Sequence, residues 1–376
     1  MIVPMYDHAA LYRKQKAEFD AAIANLLESG NFDWGNELPA FEQEFADWLG
    51  VRYATGTSSG SAALRAALRA LDIGPGDEVI TVANTDLAGS SAIRMVGATV
   101  CWVDIEPVSR CIDPGLVEAA ITPATRAILP VDIYGHPADM PALKQIARRH
   151  GLSVLQDSCL ALGAEIDGKM VGSFADITCF SFSPGKHLGS FGSGGACSTD
   201  SPELADRVRM YSSDGQDRSH HYRVPRPLDL QHETDGENAR LQEIQATVLR
   251  VKLGRLSEFL DIRRHQARLY RELLSDLPIT LPEEKPGFRH AWRNYTIETD
   301  DRLDLSSHLL DRGIASNALY SPPMHLQKVH ASLGYRRGAL PVTELSCARI
   351  LSLPIGPHLS AGQVEEVAEA VKNHYH

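Results

Sequence analysis

Ile177-Thr-Cys-Phe-Ser-Phe182, Ser183-Pro-Gly-Lys-His-Leu-Gly-Ser-Phe-Gly-Ser-Gly-Gly195 and Ala196-Cys-Ser-Thr199 follow one another without a break, and their reading decides the fold. Two short runs rich in β-branched, aromatic and small residues flank a glycine-rich loop. The spacing therefore predicts strand, loop, strand, with Lys186 carried between Gly185 and Gly189. The closing Gly-Ser-Gly-Gly has the composition of a dinucleotide-binding turn, but no helical pattern follows it, as that motif requires.

Upstream of the loop, helical patterns alternate with short apolar runs, the pattern of an α/β core with a largely parallel sheet. Ala62 to Leu71 shows a broad apolar face and stops before Gly74, which predicts a helix. Strands are predicted at Glu78–Val82, Ala98–Ile105, Ala127–Ile133 and Ser153–Leu155, with a short helix over Ala142–His150 closed by Gly151. Downstream, Tyr211 to Thr234 loses periodicity and reads as a long surface or interface loop. Arg240 to Leu273 is helical in pattern, and the remainder mixes strands and helices. The expected division is a large unit over residues 1–250 and a smaller C-terminal one over 251–376.

The net charge of −11 argues against a general nucleic-acid or anionic-membrane binder, because phosphate backbones attract clustered Lys and Arg. No apolar stretch approaches the roughly 18–20 residues of a membrane span. The segment from Met1 to Lys16 lacks the basic flank and apolar core of a secretory signal, so a cytoplasmic protein is expected. The six cysteines are scattered without a CxxC pair or a histidine cluster at metal spacing, and read as reduced core residues.

Three features point to chemistry, each with a plainer alternative. Thr57-Ser-Ser-Gly-Ser61 precedes a helix, where free N–H groups, hydroxyls and the positive dipole end suit a phosphate; a simple Ser58 or Ser59 cap is the alternative. Asp157 stands just past a buried strand, at the edge where ligands gather in open α/β sheets, and a carboxylate there can hold a pyridine nitrogen protonated; a turn aspartate is the alternative. Lys186 suits Schiff-base chemistry if its setting favours the neutral amine, and is otherwise a surface lysine. Their order along the chain shifts the balance towards chemistry.

Further motifs join these three: Ser29-Gly-Asn-Phe-Asp-Trp-Gly35, Phe41-Glu42, Ser59-Gly-Ser-Ala-Ala-Leu64, Gly76-Asp-Glu-Val-Ile80, Val103-Asp-Ile105 and Tyr134-Gly-His-Pro-Ala-Asp139. Gln156-Asp157, Phe180 to Gly189, Gly236-Glu-Asn-Ala-Arg240 and Leu351-Ser-Leu-Pro-Ile355 complete the series. Together they resemble the DegT/DnrJ/EryC1/StrS aminotransferases, a branch of the fold-type I (aspartate-aminotransferase-like) pyridoxal-phosphate enzymes. The resemblance runs nearly end to end. It implies a large domain with a mixed, mostly parallel sheet, a smaller C-terminal α+β domain, and pyridoxal 5'-phosphate (PLP) cycling with pyridoxamine phosphate.

Carried over by position, the resemblance makes Lys186 the Schiff-base lysine and proton carrier, and Asp157 the partner of the pyridine nitrogen. Gly60, Ser61, Ala62 and Ser181 would contact the cofactor phosphate, with Asn238 reaching it from the neighbouring subunit of a homodimer with shared active sites. Tyr320 and His325 would border the substrate pocket. Two positions depart from the family pattern. Asp86 stands where an aromatic residue commonly stacks on the ring, and Leu160 where a glutamine commonly approaches the ring hydroxyl. Asp86 is expected to face the pocket and accept a hydrogen bond from substrate or cofactor; the alternative turns it away, with Leu160 simply packing.

The activity implied is transfer of an amino group, from glutamate or glutamine, to a keto sugar, foremost a nucleotide-activated one, with a keto cyclitol as the alternative. A dehydratase branch of the family lacks the lysine, which Lys186 argues against. A PLP-binding regulatory protein is the non-enzymatic alternative.

Overall fold

The computed structural model describes residues 3–216 and 232–376, so most of the expected loop from Tyr211 to Thr234 lies outside the described residues. Among the described residues, twelve strands follow in chain order. The first five are β1 (Tyr53–Thr57), β2 (Glu78–Val82), β3 (Thr99–Val103), β4 (Thr125–Leu129) and β5 (Ser153–Asp157). Then come β6 (Glu165–Ile166), β7 (Lys169–Met170), β8 (Ile177–Ser181), β9 (Gly195–Thr199), β10 (Phe288–Arg289), β11 (Tyr295–Glu298) and β12 (Ile350–Leu353).

Seven of them form the main sheet in the order β1-β9-β8-β5-β4-β2-β3. β8, β5, β4, β2 and β3 pair in parallel, whereas β9 runs antiparallel to both β8 and β1. Val79, Ile80, Val82, Ile128, Leu129, Leu155 and Ile177 are buried, as a sheet covered on both faces demands. The expected strand–loop–strand over 177–199 is thus the β8–β9 pair, in register from Thr178 opposite Ser198 to Ser181 opposite Gly195.

The helix expected from Ala62 begins two residues earlier and spans Gly60–Ala70, because the Ser59 side chain caps it by accepting the Ala62 amide at 3.1 Å. Its alanine-rich face lets it lie close against β8 and β9. A second layer of apolar packing joins Phe41 and Phe45 of the helix Glu37–Leu49 to Phe180, Phe182 and Leu249. The expected helical run from Arg240 is broken at Gly254 into helices Glu243–Leu253 and Leu256–Leu274.

The second of these helices changes core along its length. Leu256 and Leu260 pack with Phe41, whereas Ala267, Tyr270 and Leu274 belong to a separate cluster with Tyr295, Leu351 and Val367. Residue 250, the expected limit of the large unit, lies inside the preceding helix. The C-terminal cluster forms around the β11–β12 pair and the helix Ala361–Tyr375, and Val3 returns to it by bridging Ile314. Among the described residues no helix is long and apolar enough to cross a membrane.

Candidate active site

One end of the main sheet gathers the candidate residues. Asp157 is the last residue of β5 and Ser181 the last of β8, both at carboxyl ends. Because β9 runs the other way, its first residue, Gly195, lies at the same end, opposite both Ser181 and Thr57. The helix Gly60–Ala70 therefore starts directly beside Ser181: a β-carbon on Gly60 would stand 2.8 Å from the Ser181 Cβ and 3.2 Å from its hydroxyl oxygen. By helix geometry the Gly60 and Ser61 amides have no acceptor within the helix.

A cavity of about 230 Å³ opens there. Gly60, Ser61, Asp86, Asp157, Leu160, Ser181, Lys186 and Tyr320 all lie on its wall. A larger hollow of about 540 Å³ beside Arg69, Asp72 and Tyr211 contains none of them, and the chemistry belongs to the smaller one. The Lys186 loop is held at both ends: the Phe182 amide donates to Gly194 O at 2.7 Å, and the Ser190 hydroxyl to Phe182 O at 2.9 Å. Gly189 has no room for a side chain, since a β-carbon would stand 2.3 Å from Pro184 O. The turn in which the Lys186 amide donates to Ser183 O at 2.9 Å thus needs glycine there.

The electrostatics favour a neutral lysine. Burial lowers the Lys186 pKa, the Arg293 guanidinium lowers it further, and the nearby acidic groups work against both. Burial raises the Asp157 pKa; its Oδ1 accepts the Cys159 amide at 3.1 Å, and Lys186 offsets part of the rise. A cation placed against Asp157 lowers its proton affinity again, so the site is suited to a protonated ring nitrogen. Tyr320 is also pushed up, by burial and then by the charge of Asp86, so its phenol keeps its proton.

Asp86 has two duties. It lies on the cavity wall, and its Oδ1 accepts the Ala88 amide at 3.1 Å, capping the helix Leu87–Met95. Leu160 is buried on the wall and packs there. Two other expected residues lie off this wall. The Ala62 amide is taken by the Ser59 cap and its methyl group is buried, leaving Gly60 and Ser61 to face the cavity. His325 lies off the wall, fully buried, with Nε2 3.1 Å from Glu344 Oε1. Asn238 is exposed and bridges Ser213, away from the wall of this chain's own cavity.

Several wall residues were not singled out from the sequence: Thr85, Cys159, Ser183 and Ser193. Arg293 was missed too, because its neighbours Tyr6 and Gly185 are distant in sequence. Its Nη1 donates to Tyr6 Oη at 3.0 Å, and a β-carbon on Gly185 would lie 3.1 Å from its Nη2.

Solved structures share this fold. The chain matches DesV of Streptomyces venezuelae, solved in complex with a ketimine intermediate, with a TM-score of 0.94 and 44% identity over 99% of this chain and 98% of that one. It matches NtdA of Bacillus subtilis with bound cofactor PMP at a TM-score of 0.90 and 32% identity, over 99% and 85% of the two chains. Fold and cavity together define a PLP-dependent aminotransferase.

The chain belongs to the DegT/DnrJ/EryC1/StrS aminotransferase family, whose pattern it matches over residues 13–372. Among its relatives is the dTDP-3-amino-3,4,6-trideoxy-alpha-D-glucose transaminase of Streptomyces venezuelae, 44% identical over 98% of this chain and 95% of the relative. The erythromycin biosynthesis sensory transduction protein EryC1 of Saccharopolyspora erythraea is 42% identical over 99% of each chain. The UDP-N-acetyl-3-dehydro-alpha-D-glucosamine 3-aminotransferase of Acidithiobacillus ferrooxidans is 39% identical over 100% and 98%.

The residues present fit PLP. The close approach at Gly60 leaves a cradle of two amides and the Ser61 and Ser181 hydroxyls at a helix N-terminus, which suits a phosphate. Asp157 and Lys186 share the same wall.

Proposed function

We propose that this protein aminates the ketone at carbon 3 of a nucleotide-linked hexose, with glutamate or glutamine as donor. One observation carries the reading: a cavity built around Lys186 and Asp157 occurs in a chain that aligns end to end with relatives named for 3-amino and 3-dehydro sugars. One of those sugars is linked to dTDP and the other to UDP, so the shared feature is the position on the ring.

The residues divide the work accordingly. When bound, PLP supplies an aldehyde that exchanges amines and a ring that takes up electrons. Lys186 holds the cofactor and carries the proton at Nζ, and its lowered pKa favours the neutral amine that this role needs. Asp157 keeps the ring nitrogen protonated. Gly60, Ser61 and Ser181 bind the phosphate, and Leu160 fills the wall without a polar contact. Asp86 and Tyr320 border the acceptor. The working unit in this reading is a cytoplasmic homodimer, in which Asn238 serves the partner subunit's phosphate; its exposure supports that role.

The test is a spectral one. The purified enzyme is converted to its pyridoxamine form with glutamate, and the return of the PLP absorbance is followed with dTDP- and UDP-linked 3-keto hexoses, 4-keto hexoses and a keto cyclitol. Rapid return with a 3-keto nucleotide sugar is expected. Return with only a 4-keto sugar or the cyclitol would overturn the proposal.

A further inference from the structure

Behind Asp157 lies a second carboxylate that the reading above does not use. Asp132 follows the cavity residue Val131 and is fully buried. Its Oδ1 accepts the Ala138 amide at 2.8 Å. Its Oδ2 accepts Gln156 Nε2 at 2.8 Å and also the Ser158 hydroxyl. Gln156 and Ser158 are the two neighbours of Asp157, so one oxygen grips the chain on both sides of it. The backbones are tied as well: the Asp132 amide donates to Asp157 O at 3.0 Å, and the Asp157 amide to Pro130 O at 2.9 Å.

We propose that Asp132 is the positioning residue for Asp157, fixing the turn that presents it and standing behind it as a second negative group. This rests on the reading of Asp157 as partner of the ring nitrogen. No cation forms an ion pair with Asp132 among the described residues, and Asp157 and the Cys111 thiol are among the titratable groups that act on it. Burying an uncompensated carboxylate is costly, and three ordinary donors do not require one, since an amide or a water can accept from each of them. What a charged group adds is field. A negative charge behind Asp157 favours a proton on whatever cation Asp157 faces. Burial works against that charge by raising the Asp132 pKa to about 7, so the field of Asp132 is fully present only above neutral pH.

The experiment uses the PLP-loaded enzyme with three variants: Asp132→Asn, Ser158→Ala and Asp157→Ala. The readouts are the pH midpoint of the bound cofactor's absorbance, cofactor release on dilution, and kcat and KM for glutamate. Supporting groups one step removed from a reactive centre typically matter on the order of tenfold or more. Asp132→Asn should therefore move the midpoint to lower pH, lower kcat by about tenfold, and leave the glutamate KM within about twofold. Ser158→Ala removes one donor from Asp132, makes that carboxylate easier to protonate, and should move the midpoint in the same direction by less. This variant decides the matter if Asp132→Asn does not fold. A midpoint and kcat unchanged in whichever of the two folds, while Asp157→Ala abolishes turnover, overturns the role of Asp132 alone. An unaffected Asp157→Ala enzyme overturns both readings.

Discussion

Gly195 lies directly beneath Ser59: a β-carbon at position 195 would stand 2.5 Å from the Ser59 carbonyl oxygen and 2.7 Å from the Gly60 nitrogen. The antiparallel β9 thus meets the start of a helix at backbone distance, and the phosphate cradle exists because no side chain separates them. Gly195→Ala must push the helix away from Ser181. Overpacking of this kind costs about 1–3 kcal/mol. The variant should melt earlier than the parent and release PLP more readily; equal retention of cofactor would show that the cradle tolerates the shift.

Lys186→Ala should bind PLP without a covalent link. Borohydride treatment, proteolysis and mass spectrometry should find the cofactor on the peptide carrying Lys186 in the parent and on no peptide in the variant. Turnover in Lys186→Ala at the parent's rate would rule out the assignment of the lysine.

Asp86 both caps a helix and faces the cavity, and two substitutions separate these duties. Asp86→Ala should lose about 1 kcal/mol of stability with the cap, whereas Asp86→Asn should keep it. If the charge serves the acceptor, both variants should raise the acceptor KM, with cofactor affinity less affected. An Asp86→Asn enzyme with unchanged acceptor kinetics would leave Asp86 as a cap and nothing more.

The pKa of Asp132 is raised from 3.8 to about 7, chiefly by burial and less by the charge of Asp157. A carboxyl group whose folded pKa is raised binds its proton more tightly in the folded state, so its contribution to stability is full below about pH 4 and is lost as pH rises through 7. The shift corresponds to about 4 kcal/mol. Denaturant unfolding from pH 4 to pH 8 should show the parent losing stability relative to Asp132→Asn, with the difference levelling off above pH 7. A pH-independent difference would show that Asp132 ionises normally.

His325 was placed beside the substrate pocket by resemblance, yet its partner is Glu344. His325→Gln should lower the melting temperature by disturbing that buried contact, while keeping kcat and KM within about twofold, since breaking a buried hydrogen bond away from the chemistry acts on stability. A large loss of kcat at unchanged stability would return His325 to the site.

The strand–loop–strand around Lys186 and the helix from Gly60 were legible because glycine punctuation and apolar period agree there. β1 was not, since Tyr53-Ala-Thr-Gly-Thr57 has no apolar run and is made a strand by its ladder to β9. The break at Gly254 interrupts a continuous apolar pattern, so only packing reveals it. Asp157 was readable from its place at a strand end. Asp132 and Arg293 were not, because their meaning lies in partners far along the chain or in the pairing of parallel strands.

The cavity wall takes contributions from Ser59 through Tyr320, with no stretch of chain supplying both the phosphate cradle and the acceptor border. The wall groups assigned to the cofactor all come from the main sheet and its loops, between Gly60 and Lys186, whereas the acceptor border is finished only when the C-terminal segment brings Tyr320. Cofactor binding thus depends on assembly of the sheet, and acceptor binding on docking of the C-terminal segment as well. The cofactor fastens the assembled sheet end, adding stability that grows with the logarithm of its free concentration.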